Sequence, residues 1–399
     1  MTSEPEVPVV DARHASGMRL ALFASWLSGV NCRAPLVASG ALLPLVMPAL
    51  GLSPATASLL TALPLLVLAV LSLPGGLLTH RLGPRLTLLV TQLVIAVGGA
   101  LRAAAAGPFV FFAAVSVLGS GIGLAQPALV HAARRISGRR ATVATAVYSN
   151  GLVLGGLLGS ALSAPFLLPL AGGSWRGVFL LWGLLGIIAA ALWLFIPLAD
   201  DRAGPPSGAR PQPAPIPGLG PVIVIFCCQS AIFYGLVTWL PDFYVAAGAS
   251  LAAAAVPVSI LSAGSVLGVV VTPLLVRRGG GFRGALLLTG VLDVAALVLL
   301  LADPALGDIV AGVVGAGTAI ALTVGMAVPA VLAPAGETGR VSGLLLAIGY
   351  AVAALGPVEI GGLRDLTGAF APGFALLAAL AVVWSLASLS LPHWEATGT

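Results

Sequence analysis

Lysine is absent from this chain: all 18 basic residues are arginine. Charge of either sign is scarce, at 8% of 399 residues. Soluble domains carry about 25% charged residues, so this supply cannot cover a surface with water. The missing lysine goes with a composition rich in Ala, Gly, Pro and Arg, the signature of GC-rich codons, and has no functional meaning of its own. It does exclude the P-loop G-x-x-x-x-G-K-[ST], and with it an ATP-driven motor in this chain. Cysteine is scarce too. Cys32, Cys227 and Cys228 all fall in apolar runs, and the last two are adjacent with no histidine near them, which speaks against disulfides and against a metal site. The four histidines join no Cys/His cluster. No metal, no cofactor and no enzyme activity is therefore expected.

What is abundant is apolar. Hydrophobic residues make 59% of the chain and the mean hydropathy is +1.10, which excludes disorder. The 51 glycines and 30 prolines follow no G-X-Y period, which excludes collagen. The class left is a polytopic membrane protein. Its N-terminus carries Glu4, Glu6 and Asp11 and lacks the basic start and cleavage site of a signal peptide, so the first span is expected to be retained.

A bilayer core takes about 20 apolar residues per helix, and the apolar runs here are continuous rather than alternating, so they read as helices. Twelve spans are predicted, at 19–47, 54–79, 85–105, 108–132, 141–168, 176–198, 220–246, 250–276, 284–302, 307–332, 340–362 and 371–391. Arginine orients them. Fourteen arginines fall in the N-terminus and alternate loops, from Arg13 and Arg19 through Arg134, Arg135, Arg139 and Arg140 to Arg340, against Arg176 and Arg364 on the opposite side. Both termini are thus expected in the cytoplasm. Net charge is +5; loop orientation, not nucleic-acid binding, accounts for it.

Residues 199–219 hold six prolines together with Asp200, Asp201 and Arg202, a composition suited to a cytoplasmic linker. It separates a first six-helix bundle, 19–198, from a second, 220–391, with tails at 1–18 and 392–399. The halves echo each other. Leu43-Pro44 recurs as Leu240-Pro241 and Arg81 as Arg278, both at an offset of 197; Pro127 recurs as Pro329 and Tyr148 as Tyr350, both at 202. Six spans plus six is the pattern of parallel repeats facing each other across a central cavity.

The loop after the second span reads Gly76-Leu-Leu-Thr-His80-Arg81-Leu-Gly83-Pro-Arg85. It resembles the G-x-x-x-D-R-x-G-R-[RK] signature of the major facilitator superfamily, with His80 at the acidic position; Arg277-Arg278-Gly279 is a degraded second copy. Asn31-Cys32-Arg33-Ala34-Pro35, Leu60-Thr61-Ala62-Leu63-Pro64, Gly121-Ile122-Gly123 with Gln126-Pro127, and Gln229 with Tyr234-Gly235 and Trp239-Leu240-Pro241 are similar to the cyanate permease and 2-nitroimidazole transporter branch. The resemblance runs from about residue 18 to 391. It implies an all-α fold of two pseudo-symmetric six-helix bundles, with the first, fourth, seventh and tenth spans lining the cavity, and a monomer in the bilayer working by alternating access.

Arg33 lies fourteen residues past Arg19, about 21 Å along a helix at roughly 1.5 Å per residue, hence deep in the first span. Arginine there costs about 2.5–3.5 kcal/mol on insertion scales, so it must face a ligand, water or a structural partner. As a ligand contact it suits a small anion or a nitro-like group. Asn31 sits about 200° round the helix and is the weaker candidate. Gln126, Tyr148, Asn150, Gln229, Tyr234 and Tyr350 are polar at mid-membrane depth, serving either the substrate or helix–helix contact; Gln229 and Tyr234 rank higher through the resemblance. Trp239 either caps the pocket or sits in the interfacial aromatic belt, the belt being preferred. Asp293 and Glu359 are the acids to consider for proton coupling, although the ninth span is peripheral in the fold implied. Arg102 reads as a structural cap or pair near the end of its span, and His131 as a loop anchor.

Gly151, Gly155, Gly156 and Gly159 resemble the G-x-x-x-G-P-x-x-G-G signature of proton-coupled exporters, with Gly156 in place of its proline; close helix packing is the simpler reading. Gly76, His80, Arg81, Gly83, Arg85, Arg278 and Arg340 are expected to hold the cytoplasmic ends together in the outward-open state. The function expected is secondary transport of a small anionic or strongly dipolar solute, cyanate-like, carboxylate or nitro, with a proton as possible co-substrate. Proton-driven efflux of amphipathic compounds is the rival reading, and a membrane sensor that binds without carrying is a third.

Overall fold

The computed structural model describes residues 12–137, 141–196, 218–278, 280–332 and 338–392, and they are almost wholly helical. The spans are α1 (Ala12–Ala41), α2 (Leu59–Leu82), α3 (Pro84–Ala104), α4 (Pro108–Ser137), α5 (Ala141–Leu162), α6 (Trp175–Leu194), α7 (Leu219–Ala246), α8 (Leu251–Arg278), α9 (Gly281–Ala302), α10 (Gly307–Leu332), α11 (Thr338–Ala353, continued by Leu355–Thr367) and α12 (Ala371–Leu389). Among the described residues, eleven helices are long and apolar enough to cross a membrane. The twelfth is α2, bent by 56° between Leu59–Ser72 and Pro74–Leu82. Pro74 lacks the N–H of an i→i−4 bond and crowds the preceding turn, which is what a sharp kink requires.

Most predicted spans fall on these helices, with shifted ends. The first helix starts at Ala12, inside the stretch read as a tail, and stops at Ala41; Leu43–Ala49 then forms a separate short helix, and Pro54–Ala57 another before α2. After α5 the chain widens into a π-turn at Ser163–Leu167. The predicted linker, apart from its last residues, and the outermost parts of both tails lie outside the described residues, as do Arg139, Arg140, Arg202 and Arg210.

Helices α1–α6 pack chiefly on one another, through α1 on α5, α3 on α4 and α6, and α2 on α4; helices α7–α12 do the same, through α8 on α10 and α9 on α10 and α12. The α1–α5 seam shows why glycine is needed. A Cβ at Gly29, Gly151, Gly155 or Gly159 would strike the backbone carbonyl of the facing helix. The glycine row is therefore a close-packing seam, the small-xxx-small arrangement by which membrane helices associate.

Two ends of the molecule can be distinguished: a near end, where α1 starts, and a far end, where α1 and α2 are joined. The two bundles meet toward the far end. Leu43–Ala49 touches α7, Pro54–Ala57 touches the second half of α11, and α5 touches α8. Backbones come very close there: a Cβ on Gly40 would strike the carbonyl of Val237, and one on Gly361 would lie 2.6 Å from the carbonyl of Pro54.

Candidate functional site

Arg33 is half-buried on α1, and its guanidinium Nη1 donates to the hydroxyl of Tyr234 on α7, a hydrogen bond from one bundle to the other at mid-span. The guanidinium carbon lies 4.9 Å from the Tyr234 ring centre and 5.5 Å from that of Phe233. These two rings stand at 88° with centres 5.3 Å apart. Tyr148, Phe233 and Tyr350 (of α11) pack on the same buried cluster as Tyr234, Leu36 and Leu65. Gly155 and Gly156 of α5 lie against the Arg33 stem. Among the described residues no carboxylate pairs with Arg33. The result is one cation between two aromatic rings, bonded to the Tyr234 phenol: its remaining donors suit negative charge and electron-rich acceptors.

Other predicted residues go elsewhere. Asn31 is fully buried within the first bundle, where its Nδ2 donates to Gln92 Oε1 of α3 at 2.7 Å. Two residues from Arg33, it points to the opposite side of the helix, so the structure removes it from the Arg33 group. Gln229 is buried, with Nε2 donating to the neighbouring Ser230 hydroxyl at 2.6 Å. Asn150 accepts from Trp26 Nε1 at 3.1 Å, a bond between α1 and α5, and Gln126 is half-buried on α4. Trp239 does not lie in an interfacial belt. It is completely buried, and its indole N–H donates to the Pro357 carbonyl at 2.8 Å, locking α7 to α11.

Asp293 is completely buried on α9, both carboxyl oxygens lack a hydrogen-bond partner, and they lie against Gly317 of α10. Glu359 is exposed on the second half of α11 and belongs to neither group. Arg102 is buried, donating to Ser39 Oγ at 2.9 Å and stacking 4.1 Å over Phe179; this is the structural pairing its position suggested.

In this conformation Arg85 stays within its own bundle: its Nε and Nη2 donate to the carbonyls of Trp193 and Leu194 at 2.9 and 2.7 Å, capping the C-terminus of α6. Gly83 has φ of +80° and ends α2 just before Pro84 opens α3, a conformation glycine adopts without penalty. The close approach to α4 is made by Gly75, against Leu124 and Pro127, whereas Gly76 has open space. The His80 ring stands edge-on to His131 of α4, centres 5.0 Å apart. Arg81 and Arg278 are exposed, and the Arg340 side chain lies outside the described residues.

Sequence reasoning missed a polar cluster at the far end. Asp242 of α7 pairs with Arg364 of α11, whose guanidinium lies 4.2 Å over Phe370 and 5.4 Å from Trp239. Next to it, Asp365 accepts from Ser53 Oγ at 3.0 Å and from the Ala55 N–H at 2.9 Å, both in the first bundle. The available signal was the pair of charges Asp242 and Arg364, opposite in sign and at matching depth. A groove of about 380 Å³ between α5 and α8 is lined by apolar residues such as Leu157, Ala161 and Ile260, with Ser259 as its polar exception. It includes none of the Arg33 group.

Twelve apolar spans in two bundles that meet around a central polar group are the architecture of a membrane transporter. Residues 21–357 match the sequence model of the Major Facilitator Superfamily, and the chain belongs to that family. It is 27% identical over 347 residues to the cyanate transport protein CynX of Escherichia coli, covering 86% of this chain and 89% of that one. It is 26% identical over 380 residues to the 2-nitroimidazole transporter of the same organism, covering 92% and 95%. Among solved structures, a POT family transporter in complex with 5-aminolevulinic acid superposes with a TM-score of 0.78 at 13% identity, over 94% of this chain and 95% of that one, a likeness of fold.

Proposed function

We propose that this secondary transporter carries a small anionic or strongly dipolar solute, a cyanate-like ion, carboxylate or nitro compound, across a bacterial plasma membrane by alternating access about Arg33. The observation that carries this reading is the Arg33 guanidinium, half-buried at mid-span and held by Tyr234 from the opposite bundle, with no carboxylate paired to it among the described residues. The names of the cyanate and 2-nitroimidazole relatives agree with a compact, electron-rich substrate. Arginine asymmetry puts both termini and the near end in the cytoplasm, and the far-end contacts between bundles then make this conformation closed to the outside. The protein works as a monomer in the bilayer, rocking one bundle against the other; Arg81, Arg85, Arg278 and Arg340 hold the outward-open state through contacts between the cytoplasmic ends when the near end closes.

The test is a thermal-shift screen of purified protein against small anions, nitro-heterocycles and lipophilic cations, wild type beside Arg33→Gln. A ligand of the folded state raises its Tm. Stabilisation of the wild type by an anion or nitro compound, lost in Arg33→Gln, supports the reading; stabilisation by cations alone, equal in both proteins, refutes it. Proton-driven efflux of amphipathic compounds is the second reading, and the buried, unpartnered carboxyl of Asp293 favours it. Asp293 then exchanges a proton when α10 moves off it, with Glu359 as the other acid. Proton-driven transport that survives Asp293→Asn would remove that reading.

A further inference from the structure

The Arg33 group offers more than charge. Phe233 and Tyr234 form a corner, one ring edge-on to the other at 88°, and both stand by the guanidinium. Tyr350 of α11 packs on the same buried cluster. The protein has only four tyrosines, and Tyr148, Tyr234 and Tyr350 all belong to this one cluster, with Tyr148 about a turn nearer the near end, where its carbonyl faces Gly29. A site for a two- or three-atom ion needs donors and little else. Aromatic rings at right angles provide a face for a flat ligand and an edge to meet its π-cloud, a preference that aliphatic walls do not supply.

We infer that the solute is a planar aromatic monoanion, its acidic group on Arg33 and its ring in the corner of Phe233, Tyr234 and Tyr350. This rests on the reading of Arg33 as an anion site and narrows it. When the ligand enters, its acidic oxygens take the guanidinium donors and Tyr350 and Phe233 flank the ring. The Arg33–Tyr234 bond that now joins the bundles is exchanged for bonds through the ligand, so that occupancy and bundle contact are coupled. Half-burial of Arg33, Phe233 and Tyr350 leaves surface on each for this exchange.

The experiment compares benzoate, cyclohexanecarboxylate and cyanate on the full-length protein in nanodiscs. Benzoate and cyclohexanecarboxylate share charge and carbon number and differ in the flat π-face. Binding is read by calorimetry for wild type, Phe233→Leu, Tyr350→Phe, Tyr350→Leu and Arg33→Gln. Benzoate should bind about tenfold tighter than cyclohexanecarboxylate, equivalent to about 1.4 kcal/mol. Phe233→Leu or Tyr350→Leu should bring that ratio toward one, whereas Tyr350→Phe, which keeps the ring, should preserve it. If Phe233→Leu does not fold, the two Tyr350 variants carry the comparison. Equal binding of the two carboxylates, or binding of cyanate alone, lost in both cases in Arg33→Gln, overturns the aromatic inference and leaves the anion site standing. Binding of none of the three, or binding indifferent to Arg33→Gln, overturns both.

Discussion

Asp365→Ala should open the far end. In the closed arrangement the Asp365 carboxylate accepts two hydrogen bonds from the opposite bundle, at 3.0 Å from Ser53 Oγ and 2.9 Å from the Ala55 N–H. A hydrogen bond to a charged group is worth about 1.5–3 kcal/mol where water is excluded. Asp365 is exposed, so water competes and the surface scale applies, about 1 kcal/mol for the pair. That is about a fivefold change in the closed-to-open ratio. The Asp242–Arg364 pair stays intact in this variant because both partners lie in the second bundle, so the loss falls on the latch alone. Thr238 is a suitable reporter: it is fully buried and follows Val237, whose carbonyl meets Gly40 of the other bundle. In a background of Cys32→Ala, Cys227→Ala and Cys228→Ala, the reaction of Thr238→Cys with a membrane-impermeant maleimide on the far side should be about fivefold faster with Asp365→Ala. An unchanged or slower rate, with transport retained, would refute the latch.

Four further outcomes follow from the packing. Asn31→Ala leaves the Gln92 carbonyl unpaired in a buried site and should cost about 1–3 kcal/mol of stability; a lower Tm with an unchanged substrate Kd checks it, and a selective loss of binding would return Asn31 to the substrate site. Arg85→Ala removes two bonds to the last carbonyls of α6 and should cost about 1–2 kcal/mol, read as a lower Tm. Gly151→Leu drives a side chain into the Trp26 backbone of α1; overpacking of this kind costs about 1–3 kcal/mol or more, so folded yield in detergent should fall sharply, while Gly76→Ala, with open space around it, should be silent.

The spans and the class of the protein were legible because apolar runs of membrane length have few other uses, and the depth of Arg33 followed from a simple rise per residue. The loop motif was legible as a motif, but not the partner that each of its residues takes in this conformation. Nothing in the order of residues says that Arg85 turns toward α6 rather than toward the other bundle. Asn31 shows the same limit at shorter range: its distance from Arg33 along the chain is two residues, and the helix turns that into opposite faces, one on α3 and one on α7. Trp239 was placed by residue type in a belt, whereas packing against α11 put it in the core.

By itself, then, the sequence determined what the solvent dictates: helices that satisfy their own backbone hydrogen bonds in lipid, their number, and a buried cation that must be answered by something. What answers that cation, and which charges hold the far end shut, depended on side chains brought together from α1, α7 and α11 across hundreds of residues. Such meetings are decided by the close-packed seams between helices, not by local composition, and only the tertiary structure carries them.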